Sequence, residues 1–371
     1  MNKRLTVASL VVAALVAGFP ALAQTATPNP VGVSPMPAPH PTPAGALLDP
    51  AIWQTYKARF ISPEGRLIDD ANGDISHSEG QGYAMLLAAF AGDDLSFSRI
   101  WGWTVRELYR RPDGLASWRW SPTSTPHVTD GNNATDGDLL IAWGLAEAAR
   151  KWDSPEYKAA AHSIAVAAIR HGSFKGRFGL TLLPGASGFG PNDMKDGPVV
   201  NPSYWVFPAF NSLKAVAPEI NWAGLTESGV ALLNASRFAP TGLPSDWISL
   251  KGPEPVPAAS FPPTFGYNGI RIPLYLVWGD AGGTAALTPF LSAWSATSSG
   301  MPAVVDVVTA RVTEPFYDQG YEAVAALTAC AVKGTAIPIP LKTVKLEHYY
   351  STTLHLLAMV AARQRSLPCD W

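Results

Sequence analysis

Two acidic segments stand out because each places a carboxylate where a polar, glycine-containing stretch runs into a long apolar helix. Glu79 lies in the segment SEGQGYAM, residues 78–85, and Asp136 lies in the segment ATDGD, residues 134–138. A carboxylate at a helix N-terminus is stabilised by the free N–H groups and by the helix dipole. Either residue alone would be an ordinary cap. Two such carboxylates facing one cleft are equipped for general acid–base catalysis on a glycosidic bond.

The elements that must position these two carboxylates are helices, and the pattern predicts helices along the whole chain. Asp49-Pro50 and Ser154-Pro155-Glu156 are start signals for the first and the fifth helix. The pattern predicts helices at about 49–60, 79–91, 95–110, 136–152, 155–171, 202–217, 222–236, 268–279, 284–298, 314–332 and 346–364. Many are apolar nearly all round, which is typical of buried helices. We therefore predict an all-α fold, an (α/α)6 barrel of six helical hairpins closed into a toroid.

Three connecting segments are unusually long. Residues 111–135, 172–201 and 237–267 are rich in Gly, Pro, Asp and Trp. Long loops in a compact domain are usually functional. Since each carries aromatic or acidic groups and leads into a predicted inner helix, we expect a cleft across one mouth of the toroid.

The N-terminal region divides into two parts that precede the fold. Residues 1–23 read as a secretory signal peptide, with two basic residues, an apolar run and a small-residue cleavage site. Residues 24–46 form a proline-rich linker that we expect to be disordered. Residues 47–371 then form a single catalytic domain. We expect an exported protein, periplasmic or secreted, with no stable membrane insertion.

Composition limits the partners. The formal net charge is −2, which gives no reason to expect nucleic acid or anionic lipid. Charged residues are 15% of the chain while Trp numbers 13, a balance that suits a neutral, hydroxyl-rich ligand. The seven His are scattered and the two cysteines lack metal-ligand spacing, so we expect no metal and no cofactor. Cys330 and Cys369 either form a disulfide or remain buried thiols.

Several ordered segments resemble glycoside hydrolase family 8. The segment around Glu79 is similar to the family's general-acid segment, and the one that begins at Ala134 and continues to Trp152 is similar to its signature helix. Gly144 and Ala146 are small departures from that signature. Further resemblance lies in the segments NPSY (201–204), LPSDW (243–247) and FGYNGIRIP (265–273). The resemblance extends from about residue 47 to 364 and implies an (α/α)6 barrel with inverting hydrolysis of β-1,4-linked glycans.

The resemblance also implies roles for the two carboxylates. Glu79 would be the general acid that protonates the leaving glycosidic oxygen, a step worth roughly 10²–10⁴ in rate. Asp136 would lie under the distorted sugar at the cleavage point and favour an oxocarbenium-like state. Asp138 points to a different helix face, and we expect it to be structural.

The general base is where this sequence departs from the family pattern. Much of the family has an Asp after the Tyr that matches Tyr267, and here that position is Asn268. An amide cannot take a proton from water at neutral pH. Three alternatives stay open: another carboxylate serves as base, Asn268 only orients the water, or the protein is a weak or inactive relative that binds glycan. The loop positions make four carboxylates candidates for the base: Asp246, Asp193, Asp196 and Asp280.

Aromatic side chains are expected to provide platforms for sugar rings, because flat apolar surfaces match the C–H faces of a pyranose. Trp118 and Trp120 lie two residues apart, so at most one faces the cleft if that loop is extended. The other candidates are Tyr204, Trp205, Tyr267 and Tyr350. Arg271, three residues after Asn268, is a candidate for a sugar hydroxyl, for a catalytic carboxylate, or for a structural ion pair.

The function that the resemblance and the candidate residues favour is endo-acting hydrolysis of a β-1,4-glucan of the cellulose type. We expect the protein to act as a monomer. The resemblance to exported endoglucanases that accompany bacterial cellulose synthesis leaves a link to that machinery open. Two alternatives remain: a non-catalytic β-glycan-binding protein, and the same chemistry on chitosan, xylan or mixed-linkage glucan.

Overall fold

The computed structural model describes residues 46–369 and 371, so the predictions for 1–23 and for nearly all of 24–46 lie outside the described residues. Within that range the chain forms eleven α-helices arranged as an inner and an outer ring. The predicted (α/α)6 toroid is confirmed.

The inner ring consists of six helices that contact one another in a closed order. They are α2 (Ser78–Ala91), α4 (Thr135–Trp152), α6 (Phe207–Leu213), α8 (Arg271–Gly279), α10 (Gln319–Lys333) and α11 (Tyr349–Gln364). Every residue of α2 other than Glu79 is buried, which agrees with its almost uniformly apolar sequence. The N-termini of α10 and α11 meet, since the N–H of Gly320 in α10 donates to Oγ of Ser351 in α11 at 3.0 Å.

The outer ring packs around these helices and closes the core. Its members are α1 (Pro50–Phe60), α3 (Asp94–Leu108), α5 (Pro155–His171), α7 (Trp222–Ala235) and α9 (Gly283–Ser295). Between α10 and α11 the chain forms the short 3₁₀ helix η2 (Ile339–Lys342) instead of a sixth outer α-helix. The carbonyl of Leu341 accepts a hydrogen bond of 2.8 Å from His355 of α11, which fixes this connection on the inner ring.

Glycines let α2 and α4 approach closely beneath the site. A Cβ on Gly82 would meet Leu140 and the backbone of Ile141, and one on Gly144 would lie 3.0 Å from Cβ of Met85. Close backbone approach of this kind needs glycine. The departure at Gly144 therefore has a packing reason here.

The connecting segments contain short strands: β1 (Ser76–His77), β2 (Arg119–Trp120), β3 (Ser173–Gly176), β4 (Gly179–Leu182), β5 (Val199–Val200), β6 (Ile248–Ser249) and β7 (Val256–Pro257). Three further strands and a 3₁₀ turn correct two of the predicted helices. The strands β9 (Ala303–Asp306) and β10 (Val312–Pro315) form a hairpin that pairs with β8 (Thr264–Phe265). The helix predicted at 314–332 therefore begins only at Gln319, after this hairpin. The helix predicted at 202–217 is also wrong, because a 3₁₀ turn at Pro202–Tyr204 precedes a short α6.

The two cysteines form a disulfide, which settles the alternative that the sequence left open. Their Cα atoms are 6.1 Å apart and 39 residues separate them in sequence. Cys330 lies near the C-terminal end of α10 and Cys369 follows α11, so the bridge joins two neighbouring inner helices at the mouth opposite the acidic segments.

Candidate active site

Glu79 occupies the first turn of α2 at the mouth of the inner ring. Its side chain keeps 19% of its surface exposed while its neighbours along the helix are buried. The N–H of Ser78 donates to the carbonyl of Trp118 at 3.0 Å, which ties the start of α2 to the long loop 111–135. Glu79 is thus a carboxyl group that reaches the cleft from a rigid helix end.

Asp136 lies in the first turn of α4, and its side chain is almost fully buried. Its Oδ1 accepts the N–H of Gly137 at 2.8 Å. Burial raises the pKa of Asp136 to about 7, with the guanidinium of Arg271 opposing the rise and the carboxylate of Glu79 adding to it. The site therefore holds an acidic group that protonates near neutral pH.

Arg271 connects the two carboxylates. From the first position of α8, its Nη1 donates to Oε2 of Glu79 and, at 3.0 Å, to Oδ2 of Asp136. Its Nη2 donates to Oγ of Ser203 at 2.8 Å and to Oδ1 of Asn268 at 2.9 Å. Only 1% of the Arg271 side chain is exposed. Arg271 therefore holds the two carboxyl groups next to each other through one nitrogen.

This geometry limits the chemistry of the pair. Two oxygens within hydrogen-bond distance of one nitrogen are closer together than the roughly 6.5–9.5 Å that separates the acid and base of an inverting enzyme. Glu79 and Asp136 therefore cannot be the acid and base of an inverting reaction, and the base must come from another side chain.

Three of the four base candidates lie away from this cluster. Asp193 accepts the N–H of Gly190 at 2.8 Å within its own exposed loop, and Asp196 accepts the N–H of Ala259 at 2.7 Å. Asp280 caps the opposite end of α8 from Arg271, where it pairs with Arg365. That end is about 13 Å from Arg271 along the helix axis.

Asp246 is the candidate that the fold brings to the site. Its Oδ1 accepts the N–H groups of Gly266 and Gly269 at 2.9 and 2.8 Å, on either side of Asn268. The backbone N–H of Asn268 also contacts this carboxylate. Burial raises the pKa of Asp246 to about 6, while these backbone N–H groups and Arg271 oppose the rise.

Asn268 is held by the same network. Its Oδ1 faces Arg271, so the NH₂ group points the other way and acts as a donor. An amide in this orientation can bind the oxygen of a water or of a sugar hydroxyl. It cannot accept a proton.

The two loop tryptophans have different surroundings. Trp118 packs outside the main core, with its indole N–H donated to Asp130 at 2.7 Å. Trp120 packs edge-on against Trp103 of α3 and stacks on His127, with ring centroids 5.6 and 4.3 Å apart. Trp118 is therefore the better placed of the two for substrate, and Trp120 mainly supports the loop.

The tyrosines surround the network, whereas Trp205 does not. The guanidinium of Arg271 lies 5.9 Å from the ring centre of Tyr204, and Tyr350 donates to the backbone carbonyl of Tyr267 at 2.6 Å. Trp205 is 1% exposed, and its indole N–H lies 3.4 Å from Ser228 on α7. The prediction of Trp205 as a platform is therefore wrong: it fills the core.

Asp138 has the structural surroundings that we expected. It is buried, and its two oxygens accept the N–H of Ala116 at 2.9 Å and the amide of Asn133 at 2.8 Å. Burial raises the pKa of Asp138 to about 7, while these two donors oppose the rise. Asp138 holds the loop 111–135 against α4.

Two groups at the mouth were not singled out from the sequence. Glu314 on β10 accepts the hydroxyl of Tyr267 at 2.6 Å, which puts a carboxylate beside the segment of Asn268. Trp247 is stacked between Phe189 and Phe261, with centroids 5.7 and 4.4 Å away, and its edge faces Tyr204. Both depend on pairing between distant loops, for which the local sequence carries no signal.

Among residues 46–369 and 371, no three His, Cys, Asp or Glu side chains come together as a metal site. None of the helices described there combines the length and apolar character needed to cross a bilayer.

The toroid and the carboxylates at its mouth define a glycoside hydrolase, and similarity to known proteins names the family. The sequence model of glycosyl hydrolases family 8 matches residues 43–364. The chain belongs to this family.

Individual relatives agree. A probable endoglucanase of Novacetimonas hansenii is 35% identical over 336 residues, covering 87% of this chain and 95% of that protein. An endoglucanase of Cellulomonas uda is 39% identical over 265 residues, covering 70% and 72%. The solved structure of endo-β-1,4-glucanase CMCax from Acetobacter xylinum aligns with a TM-score of 0.78 at 34% identity, covering 87% of this chain and 99% of that one.

Proposed function

We propose that this protein is an endo-acting β-1,4-glucanase that hydrolyses cellulose-type chains with inversion at the anomeric carbon. The observation that carries the proposal is the joining of Glu79 and Asp136 by Arg271 at the cleft mouth. The names of the relatives, endoglucanases and an endo-β-1,4-glucanase, support the choice of substrate.

In this mechanism Glu79 donates its proton to the glycosidic oxygen as the bond to the anomeric carbon breaks. Asp136, deeper in the mouth, stabilises the positive charge that develops on the sugar ring. Arg271 holds both carboxyl groups in place and offsets their charge. Trp118, Tyr204, Tyr267, Asn268 and Tyr350 are the proposed sugar contacts, and Trp120 keeps only the supporting role.

We assign the base to Asp246. A water attacks the anomeric carbon from the face opposite Glu79, and the proton of that water goes to Oδ2 of Asp246 while Asn268 orients its oxygen. The assignment combines two alternatives that the sequence left open. The backbone N–H groups that hold Oδ1 of Asp246 on either side of Asn268 support it.

The test is reducing-end release from carboxymethyl cellulose, together with loss of viscosity, for wild type and Glu79→Gln. We expect wild type to cleave and to lower viscosity early, which is the signature of internal attack. Glu79→Gln should lose roughly 10²–10⁴ in kcat and still bind glucan. The matched control is Glu227→Gln on the exposed face of α7. Full activity of Glu79→Gln removes Glu79 from the acid role.

A second experiment tests the base and the inversion. We expect Asp246→Asn to lose activity that azide restores by forming a glycosyl azide, and Glu314→Gln to need no rescue. Product anomers followed by NMR should appear first as the α form. If Glu314→Gln is the variant that azide rescues, the base lies on β10 instead.

The rival functions are separated by the same assays. A glycan-binding protein without catalysis would bind β-glucan and release no reducing ends over days; if Asn268→Asp then gained activity, the missing base would be at that position.

A panel of chitosan, xylan and mixed-linkage glucan tests the other substrates. We further propose that the protein is exported, to the periplasm or the medium, and acts as a monomer. A pull-down assay would test whether it associates with cellulose-synthesis machinery.

A further inference from the structure

The residue two positions before Glu79 is a histidine that caps the helix of the proposed acid. His77 has an extended backbone and accepts the N–H of Gly80 on its ring Nδ1 at 3.0 Å. Helix caps are usually Ser, Thr, Asp or Asn, whose side-chain oxygens accept this N–H. In α2 the same bond is made by a group that can take up a proton.

A second contact fixes which ring nitrogen is the acceptor. Nε2 of His77 lies 3.3 Å from Oδ2 of Asp69. Because a carboxylate accepts, Nε2 carries the hydrogen and Nδ1 keeps its lone pair for Gly80. Asp69 is itself held, since its Oδ1 accepts the N–H of Ala71 at 3.3 Å. The edge of the imidazole packs on Tyr349, with centroids 5.8 Å apart.

We propose that His77 is a positioning residue, whose neutral ring holds the first turn of α2 and thereby Glu79, and that proton binding at Nδ1 releases this turn. The proposal rests on the proposed role of Glu79 as acid. A protonated Nδ1 would face the N–H of Gly80 as donor against donor, so the cap bond could not survive. Gly80 directly follows Glu79, and the lost bond therefore acts on the reacting carboxyl group.

The charged groups around His77 come from several elements. Asp69 faces it from the preceding loop, Glu79 from α2 and Asp136 from α4. Arg119 pairs with His77 across the two short strands 76–77 and 119–120. The guanidinium of Arg119 lies over the ring of Trp118. Tyr349 of α11 contributes a neutral ring. Burial lowers the pKa of His77, but its bond to Asp69 and the nearby carboxylates raise it overall. The pKa of His77 therefore lies above its usual value of about 6.5, and the cap is lost as pH falls through it.

The experiment compares kcat against pH for wild type, His77→Asn and His77→Ala. Asn caps a helix without titrating, so His77→Asn should keep kcat at pH 8 within about threefold of wild type. The fall of kcat at low pH, the acid limb of the profile, should move to lower pH. His77→Ala should lose about tenfold or more in kcat at pH 8, with little change in KM, because Glu79 is less well placed, and should approach wild type at low pH, where wild type has also lost the cap. The control is His162→Asn, an exposed histidine on α5.

Asp69→Asn provides a second variant if His77→Ala fails to fold. Asn keeps an acceptor for Nε2–H but removes the negative charge, so His77 should bind its proton at lower pH and the acid limb should move the same way. An acid limb that His77→Asn leaves unchanged would overturn the proposal, as would a His77→Ala variant with wild-type kcat.

A readout that needs no activity separates this proposal from the proposed function. Hydrogen exchange of the Gly80 amide should lose protection as pH falls through the titration of His77 in wild type, and not in His77→Asn. If wild type fails to cleave any β-glucan but shows this loss, the glucanase assignment fails and the proton-sensitive cap stands. Equal protection in both proteins at all pH values contradicts the cap.

Discussion

Arg271 and Asp136 meet at 3.0 Å with both side chains almost fully buried. Since the same nitrogen also contacts Glu79, one guanidinium serves two carboxyl groups in a space with little water. Burial makes each charge expensive on its own, and the pairing offsets that penalty. The acid chemistry and the stability of the inner ring therefore depend on the same side chain.

Removal of this guanidinium should destabilise the protein in a pH-dependent way. We expect Arg271→Met to lower the free energy of unfolding by about 3–5 kcal/mol at pH 8, because the buried carboxylate of Asp136 becomes an uncompensated charge. At pH 5 the loss should be smaller, since protonation removes that charge. Urea unfolding at the two pH values measures the difference. The comparison is Arg150→Lys, at an exposed arginine that pairs with Glu147. Equal losses for Arg271→Met at both pH values would contradict this explanation.

Asp138 should make stability fall as pH rises from about 4 to 7. Its folded pKa is about 7, whereas an unfolded Asp titrates near 3.9. Between these values the folded state keeps a proton that the unfolded state has lost, so the slope is negative, up to about 1.4 kcal/mol per pH unit. Asp138→Asn removes this contribution, and unfolding curves at pH 4 to 8 should show a flatter profile. Exposed Asp153→Asn should leave the slope unchanged.

Trp118 and Trp120 should respond oppositely to substitution by alanine. Trp118→Ala should raise KM for a soluble glucan by about tenfold or more with little loss of stability, because its ring lies outside the main core. Trp120→Ala should lower stability by about 3 kcal/mol, since its ring packs on Trp103. Kinetics and thermal unfolding of both variants measure the contrast. A raised KM for Trp120→Ala with unchanged stability would reverse the assignment.

The disulfide should stabilise the fold without contributing to catalysis. The chain-entropy relation for a loop of 39 residues gives about 3–4 kcal/mol for Cys330–Cys369. The double variant Cys330→Ala/Cys369→Ala should therefore unfold at a lower temperature. Its kcat at 25 °C should match wild type, because the bridge lies at the mouth opposite Glu79. Calorimetry and the reducing-end assay check both parts, and a loss of kcat in the folded variant would contradict the second.

The pairing of Glu79 with Asp136 could be predicted because each lies at a helix start that periodicity and glycine placement mark locally. The burial of α2 followed from its apolar sequence in the same way. The replacement of the family's usual Asp by Asn268 could also be recognised, because it requires the comparison of only one segment with the family pattern. These features depend on residues close together in the chain.

What the sequence could not supply depends on contacts between distant segments. Asp246 could not be separated from Asp193 by loop position, because its environment comes from backbone N–H groups some twenty residues later. The core position of Trp205 depends on its contact with α7, which is distant in sequence. The hairpin before Gln319 could not be predicted because its strands are short and pair with β8.

The closed order of the inner ring has a consequence for how the protein acquires activity. The hydroxyl of Tyr56 in α1 bonds Thr353 in α11 at 2.8 Å, across 297 residues of sequence, and the N–H of Tyr349 donates to Asp70 at 2.9 Å. Contacts this distant in sequence form slowly, because a long loop must close before they contribute. The N-terminal segment of the domain therefore completes its packing only after the C-terminal helix α11 has formed its contacts. Until they join, α2 lacks the neighbour that carries Tyr349 and Tyr350, so partly folded chains lack a complete site.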